Sequence, residues 1–450
     1  MSEKNDNLCI VSIRELMGEN LRIPIYQRPY RWSTDLVLTL VMDIYEAFLN
    51  GLLEYRIGSV VIHRINDNKN EVLNIVDGQQ RLTTIAIIFY VFQELLEEDD
   101  KTKIRLLEEK YNELSYKAII DNLDIIRRKL KEFDKKQLKE YYNYILENCT
   151  IVKIVTDSEQ EAFQFFDSQN SRGKELAPHD LLKAYHLREM NDESEDVKVA
   201  IINDWENLEQ KKLADLFSNH LYPLVRWYKL KSGINYSVKD IKVFKGIKKN
   251  NNYNFSIYNR AANMFIENFN LDKLYEITTG NAINQFQLTQ PIIAGKRFFK
   301  YSLHYKNLYN KIINLISSKY DKELVSISGS GDRYVYNLFI NILIFYVDRF
   351  NIESLSNTRI FLLYKWAFSL RLKMKAVYIE SINNYAMGKS ERINKGLNMF
   401  SIISEMQDSN ELDSISLDSI PKEEFEKLTL NKRYNKIYDF IFKEDGKKDD

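Results

Sequence analysis

The stretch Glu71-Val72-Leu73-Asn74-Ile75-Val76, in which four of six residues are apolar, leads directly into Asp77-Gly78-Gln79-Gln80-Arg81-Leu82-Thr83-Thr84. This stretch predicts a β-strand, and the apolar residues that recur at helical spacing after it predict a long helix. Gly78 would let the backbone approach a ligand closely, and the N–H groups at the helix start would attract an anion. Arg81 would add a cationic fork suited to phosphate, and Thr83 would add a hydroxyl. The segment predicts a phosphate-binding turn, but a plain strand-to-helix turn explains a lone Gly-x-x-Arg pattern equally well.

A second motif lies upstream at residues 23–32, Ile-Pro-Ile-Tyr-Gln-Arg-Pro-Tyr-Arg-Trp. Two prolines stiffen this stretch, which carries polar, aromatic and cationic groups together. Gln27 and Arg28 are candidates for ligand contact, and Arg28 could reach a phosphate. For Tyr30 and Trp32, packing against the next helix is the better explanation.

The third motif is Phe166-Asp167-Ser168-Gln169-Asn170-Ser171-Arg172-Gly173-Lys174. Asn170 tolerates left-handed turn geometry, and Arg172 makes the loop cationic. Read alone, an ordinary helix end followed by a turn explains it. We nevertheless expect the turn at 170–173 and the segment at 26–28 to line the same pocket as Arg81.

The order of elements predicts an α+β fold, with a small mixed sheet and helices over residues 1–190. Strands are expected at 55–65, 71–76 and 150–155, with a hairpin loop at 66–70. After residue 190 the strand signals fade, and residues 191–450 are expected to form a mainly helical domain that docks a partner or contacts DNA. Only 14 Gly and 6 Pro occur, too few for an all-β protein built on many tight turns.

The charges balance, since Lys+Arg and Asp+Glu each total 64. A protein that coats nucleic acid without specificity would show a basic excess, so any contact with DNA must come from a local patch. The best candidate is the stretch at 226–249, where Lys245, Lys248 and Lys249 could contact nucleic acid. A solvated helical face explains the same stretch equally well.

The cellular setting is predicted to be the cytoplasm, without a membrane. The 2 cysteines are too few for a disulfide framework or a zinc site. The N-terminus lacks the apolar core of a signal peptide, and no stretch approaches the roughly 18 apolar residues of a membrane span.

Taken together, the motifs resemble the GmrS-type N-terminal domain of GmrSD-like modification-dependent restriction systems, which has a ParB/sulfiredoxin-like fold. The resemblance covers roughly residues 10–190, through I-P-x-Y-Q-R-x-Y-x-W, G-S-V-V, D-G-Q-Q-R-L-T-T and N-S-R-G followed by D-L-L-K. Two departures stand out. Ala177 lies where relatives often place a Ser or Thr helix cap, and no H-N-H nuclease motif is found, since none of the 5 histidines lies beyond His304.

The resemblance implies a nucleoside triphosphate and Mg²⁺ as cofactors. The residues it implies for binding the nucleotide are Gly78, Gln79, Gln80 and Arg81, with Gln27, Arg28 and Arg172 nearby, and Thr83 and Asn170 are further candidates. Asp77, Gln79 and Gln80 are the candidates for catalysis. Asp77 could also hold the magnesium ion, although a role as a turn-capping acid explains it equally well. The reactive cysteine of sulfiredoxin chemistry is missing from the turn, which excludes that activity.

The function implied is an NTP-binding and NTP-hydrolysing sensor subunit of an antiphage restriction system. It would act on modified phage DNA with a separate nuclease chain, because this chain alone is not expected to be a nuclease. An oligomer is compatible with this picture. Two alternatives stay open: a non-enzymatic module that binds nucleotide or DNA, and an assembly subunit that docks an effector.

Overall fold

The computed structural model of the chain describes residues 8–24, 27–67, 70–97, 104–109, 111, 113–158, 161–162, 177–190, 192–271, 282–325, 329–428 and 433–442. Its contacts divide the chain into two compact units. The first comprises Met1–Leu176 and Glu195–Glu206, and the second comprises Ala177–Ser194 and Asn207–Asp450. The domain boundary expected at residue 190 stays a prediction.

The first unit contains a mixed sheet of five strands, which confirms the α+β class. The strands are β1 (Leu8–Ser12), β2 (Leu21–Arg22), β3 (Tyr55–Asp67), β4 (Asn70–Asp77) and β5 (Cys149–Thr156). Their order is β1-β5-β3-β4-β2, with β1/β5 and β3/β4 antiparallel and β3/β5 and β2/β4 parallel. The predicted hairpin is present, but its strands run further into the expected loop at 66–70 than the sequence pattern indicated.

Helices cover one face of this sheet. They are α1 (Ile13–Met17), α2 (Thr34–Leu49), α3 (Gln79–Leu96), α4 (Arg105–Glu108), α5 (Glu113–Leu130) and α6 (Lys135–Glu147), and the helix Glu195–Glu206 belongs to the same unit. Val60 and Ile62 of β3 point into the core that these helices form with the sheet. Ser33 caps α2, and Gly51 follows the end of this helix with φ +63°.

The described residues of the second unit form helices joined by turns and loops, and one isolated bridge links Ile247 and Ile293. Its α-helices are Pro178–Arg188, Gln210–Asp215, Tyr222–Trp227, Lys242–Lys245, Asn254–Leu271, Lys296–Lys319, Ser330–Phe350, Asn357–Leu372, Ile379–Ala386, Met399–Glu405, Lys422–Lys427 and Arg433–Phe442. A π-helical turn spans Leu216–Leu221, and 3₁₀ turns span Val238–Asp240 and Ser409–Ser414.

The core of the second unit is built around the helix Ser330–Phe350, whose residues 338–346 are all buried. Aromatic side chains of the neighbouring helices pack with it, and Trp366 and Tyr364 are completely buried. The expected helical character of this half is confirmed. Among the helices that the structure describes, none is both long and apolar enough to span a bilayer.

Candidate functional site

Gly78 forms the turn between β4 and α3, and only glycine fits there. Its φ is +92°, in the left-handed region that side chains disfavour. A Cβ atom at this position would lie 3.2 Å from the Ser59 carbonyl oxygen and 3.3 Å from Cγ2 of Val60. Within the described residues, no side chain caps the N-terminus of α3. The first N–H groups of the helix are therefore left for a ligand or water.

Arg81 lies one turn into α3, and its guanidinium packs against the backbone of β3. Its Nη1 donates to the carbonyl of Ser59 at 2.9 Å. A Cβ atom on Gly58 would come within 3.0 Å of Arg81 Cζ and Nη1, so Gly58 makes room for the guanidinium. The Nε and Nη2 groups have no hydrogen-bond acceptor among the described residues. Two donors of the fork therefore remain for an anion.

Asp77 brings the charges of the site together. Burial raises the pKa of its carboxyl, while the N–H of Gly78 and the charges of Arg81 and Arg28 act in the opposite direction. Both guanidinium groups are therefore close enough to this carboxylate to affect its pKa. The structure thus unites Asp77, Gly78, Arg81 and Arg28, which the sequence predicted as site residues from two separate motifs.

Gln27 fastens the second motif to the sheet. Its Nε2 donates to the carbonyl oxygens of Ile75 at 2.9 Å and Val76 at 2.8 Å, at the end of β4. Residues 27–32, called here the 27–32 segment, are thereby held beside the turn. Because the side-chain amide of Gln27 already donates to backbone carbonyls, contact between Gln27 and a nucleotide stays a prediction.

Gln80 holds the same segment from the side of α3. Its Oε1 accepts from the backbone N–H of Arg31 at 2.8 Å, and its Nε2 donates to the carbonyl of Pro29 at 3.1 Å and to Oε1 of Gln79 at 3.2 Å. Both ends of the Gln80 amide are therefore engaged within the protein. A catalytic role for Gln79 or Gln80 stays a prediction, and this geometry does not favour it for Gln80.

Tyr30 and Asn122 complete the attachment of the 27–32 segment. The hydroxyl of Tyr30 lies 2.8 Å from Oγ1 of Thr84. The backbone N–H of Tyr30 donates to Ser115 Oγ at 3.0 Å. Asn122 Nδ2 donates to the Tyr30 hydroxyl at 3.0 Å and to the carbonyl of Trp32 at 2.8 Å. Burial raises the pKa of Tyr30 to about 12, so its hydroxyl stays protonated. Tyr30 is thus a buried core residue, but its hydrogen bonds are with α3 and α5 and not with the next helix, α2.

Thr83 points into the core and not toward the turn. It is completely buried, and Tyr111 Oη lies 3.5 Å from its hydroxyl while donating to the carbonyl of Leu106. Contact between Thr83 and a nucleotide stays a prediction that its burial does not favour. Sequence reasoning assigned no role to Gly58, Tyr111 or Asn122, although Gly58 opens the quoted G-S-V-V motif.

The third motif cannot be placed relative to Arg81. Asn170 and Arg172 lie outside the described residues, so their expected position in the pocket stays a prediction. The helix that follows starts at Pro178, with Ala177 at its N-cap. Because alanine has no side-chain acceptor, the departure noted in the sequence leaves this helix start without a side-chain cap.

Asp77 is a possible ligand for a metal ion at this turn. In the part of the chain that the structure describes, no group of three or more His, Cys, Asp or Glu side chains is placed to hold a metal. Asp77 is thus suited to Mg²⁺ only in company with phosphate oxygens, which is how magnesium usually binds with nucleotides.

The three candidates for contact with nucleic acid are Lys245, Lys248 and Lys249, called here the lysine patch, and they lie in the second unit. Lys245 Nζ is 5.0 Å from the centre of the Tyr185 ring, Lys248 Nζ is 3.7 Å from Glu189, and Lys249 Nζ is 2.5 Å from Asp192. Two of the three charges are therefore offset by acids from an earlier segment. This pairing supports the solvated face, and contact with nucleic acid stays a prediction.

Comparison with known families divides the sequence in two. Residues 13–187 match the family described as GmrSD restriction endonuclease, N-terminal domain. Residues 197–432 match a family of unknown function (DUF7834), which covers just over half of the 450 residues. No curated protein matches the chain. The first match indicates a component of a restriction system, and it contains every residue of the site at Asp77. The chain therefore belongs to the DUF7834 family and carries a GmrSD-type N-terminal domain.

Proposed function

We propose that the chain is an NTP-binding and NTP-hydrolysing regulatory subunit of an antiphage restriction system. It acts in the cytoplasm on modified phage DNA, together with a separate nuclease chain. The observation that carries the proposal is the turn at Asp77–Arg81. There a partly buried carboxylate lies near two guanidinium groups, at a helix start that no described side chain caps.

Each residue of the turn has a distinct part in nucleotide binding. The triphosphate lies against the N–H groups at the start of α3, since these groups and the helix dipole favour an anion. Arg81 donates its Nε and Nη2 to phosphate oxygens, and Arg28 adds a second positive charge. Gly78 leaves the space that the phosphates need. Asp77 holds Mg²⁺, which neutralises phosphate charge when bound.

A second candidate is a module that binds the nucleotide without turnover. The fixed amide of Gln80 favours it, since an amide held by Pro29 and Arg31 cannot orient an attacking water. If the chain does hydrolyse the nucleotide, Asp77 is the acid of the described turn that could activate water. Release of inorganic phosphate from each triphosphate separates the two candidates, and turnover that is lost in Asp77→Asn supports hydrolysis.

The wild-type chain is expected to bind at least one of the four common nucleoside triphosphates in the presence of Mg²⁺. The reason is the cluster of cationic and N–H donors around the turn. Isothermal titration calorimetry with ATP, GTP, CTP and UTP measures the affinity for each triphosphate. The same titrations in excess chelator show how much of that affinity depends on Mg²⁺. If none of the four binds, the proposal fails.

The purified chain alone is expected to leave DNA intact. Metal-dependent cleavage needs ligands and a base held in one cluster, and the sequence after His304 contains no His or Cys. Modified and unmodified phage DNA are incubated with the protein, Mg²⁺ and each triphosphate, and the products are resolved on a gel. Cleavage by this chain that disappears when its own acidic residues are replaced would contradict the prediction.

A further inference from the structure

The helix Glu195–Glu206 belongs to the first compact unit, although it follows the GmrSD match in the sequence. The match ends at residue 187, and the DUF7834 match begins at residue 197. The helix nevertheless groups with Met1–Leu176, while the residues on both sides of it group with the second unit. Ile202 and Trp205 are buried. A piece of the second family's sequence thus forms part of the unit that contains the turn.

The last residue of this helix, Glu206, contacts the 27–32 segment. Its Oε2 accepts from Nη2 of Arg31 at 3.2 Å, with side-chain exposures of 4% for Glu206 and 44% for Arg31. The backbone N–H of the same arginine donates to Gln80. Arg31 is therefore fixed through its side chain by one helix and through its backbone by the first turn of α3.

This double attachment bears on the site because Arg28 lies three residues earlier in the same segment. Arg28 contributes its charge to the surroundings of Asp77. The flanking residues Gln27, Tyr30 and Arg31 are each hydrogen-bonded to other parts of the unit. A backbone segment held in place before the ligand arrives loses less conformational entropy on binding, so fixing the neighbours of Arg28 favours binding.

We propose that Glu206 is a positioning residue for the nucleotide site, acting through Arg31 on the 27–32 segment without touching the nucleotide. The inference rests on the proposed function. It follows that Glu206, which lies beyond the end of the GmrSD match at residue 187, completes the site that the GmrSD-type domain forms. A buried carboxylate needs its cationic partner, so the Arg31–Glu206 pair keeps the segment in one position.

The first experiment uses the full chain without nucleotide. Hydrogen–deuterium exchange is measured for the amides of the 27–32 segment in wild type, Glu206→Ala and Glu206→Gln. We expect the Arg31 amide to exchange severalfold faster in Glu206→Ala, and by less in Glu206→Gln, which keeps an acceptor for Arg31. The matched control is Glu147→Gln, which breaks the exposed Arg14–Glu147 pair of the same unit. Unchanged exchange in Glu206→Ala overturns the proposal.

The second experiment measures the dissociation constant for the magnesium complex of the triphosphate that wild type binds. Glu206→Ala and Arg31→Ala are each expected to weaken binding on the order of tenfold. The double variant should bind no more weakly than either single variant, since both act through one contact. Glu206→Gln should recover part of the affinity, and Glu147→Gln should bind like wild type.

The outcomes separate this inference from the proposed function. If wild type binds no triphosphate, the proposed function fails and the positioning role fails with it. If wild type binds and Glu206→Ala binds equally well, the positioning role alone is overturned, even where exchange becomes faster. Thermal unfolding of each variant is measured beside the titrations. If Glu206→Ala proves to be unfolded, the affinity of Glu206→Gln for the nucleotide decides whether the positioning role holds.

Discussion

Arg81→Ala is expected to weaken binding of the magnesium–triphosphate complex by about 1.5–3 kcal/mol, or roughly 10- to 150-fold. The substitution removes the two N–H donors that the fork can offer to phosphate oxygens, together with a permanent positive charge. Isothermal titration calorimetry on wild type and variant measures the difference. Arg81→Lys should fall between them, because lysine keeps the charge and loses the planar fork.

The control for Arg81 is Arg56→Ala. Arg56 is an exposed arginine on β3 that pairs with Glu54 at 2.5 Å, two residues before Gly58. Arg56→Ala removes the same kind of charge from a side chain that pairs with Glu54, and the affinity of this variant should match wild type. Arg81 also supports the Ser59 carbonyl, so unfolding of the apo variant is followed in parallel. Equal affinity of Arg81→Ala and wild type would show that the turn holds no phosphate.

The parts of the site that sequence predicted are those set by local chemistry. The turn at Gly78 follows from a strand pattern, a residue that tolerates positive φ, and a helix pattern within a few positions. Ser33 and Gly51 mark the two ends of α2 for the same reason. Such signals are contained in the segment itself, so the sequence is sufficient to find them.

The parts that sequence missed depend on contacts between distant segments. β1 was not predicted: it pairs with β5, where Leu8 lies opposite Ile154, and apolar residues on both faces of a short strand give no alternation to detect. The amide of Gln80 was assigned to chemistry because sequence shows its donors and acceptors but not the backbone of Pro29 that it meets.

The lysine patch illustrates the same limit in electrostatics. Counting charges within residues 226–249 finds one acid, Asp240, and so predicts a basic surface. In the fold, Lys248 and Lys249 meet Glu189 and Asp192 from an earlier segment. A local count therefore overstates the positive charge that this surface presents, and an ion pair with a distant acid is invisible before the chain is folded.

Arg371→Ala is expected to have the largest effect on stability, a loss of about 3–5 kcal/mol in the free energy of unfolding of the second unit. Arg371 and Asp332 form an ion pair at 2.9 Å with side-chain exposures of 10% each. Tyr434 joins them: its hydroxyl donates to Asp332 at 2.8 Å and accepts from Arg371 Nη2 at 2.7 Å. The three residues tie together the helices Ser330–Phe350, Asn357–Leu372 and Arg433–Phe442. Removing the arginine leaves the Asp332 carboxylate buried without its cation.

Urea unfolding followed by tryptophan fluorescence measures this loss, since Trp366 lies on the same helix as Arg371. Tyr434→Phe should cost less, about 1–2 kcal/mol, because it removes hydrogen bonds and leaves the ion pair in place. The matched control is Lys395→Ala, which breaks the ion pair between Lys395 and Glu391. Both side chains of this pair are 73% exposed. Exposed pairs contribute little, so the control should unfold like wild type. Equal losses for Arg371→Ala and Lys395→Ala would mean that the buried cluster does not hold these three helices together.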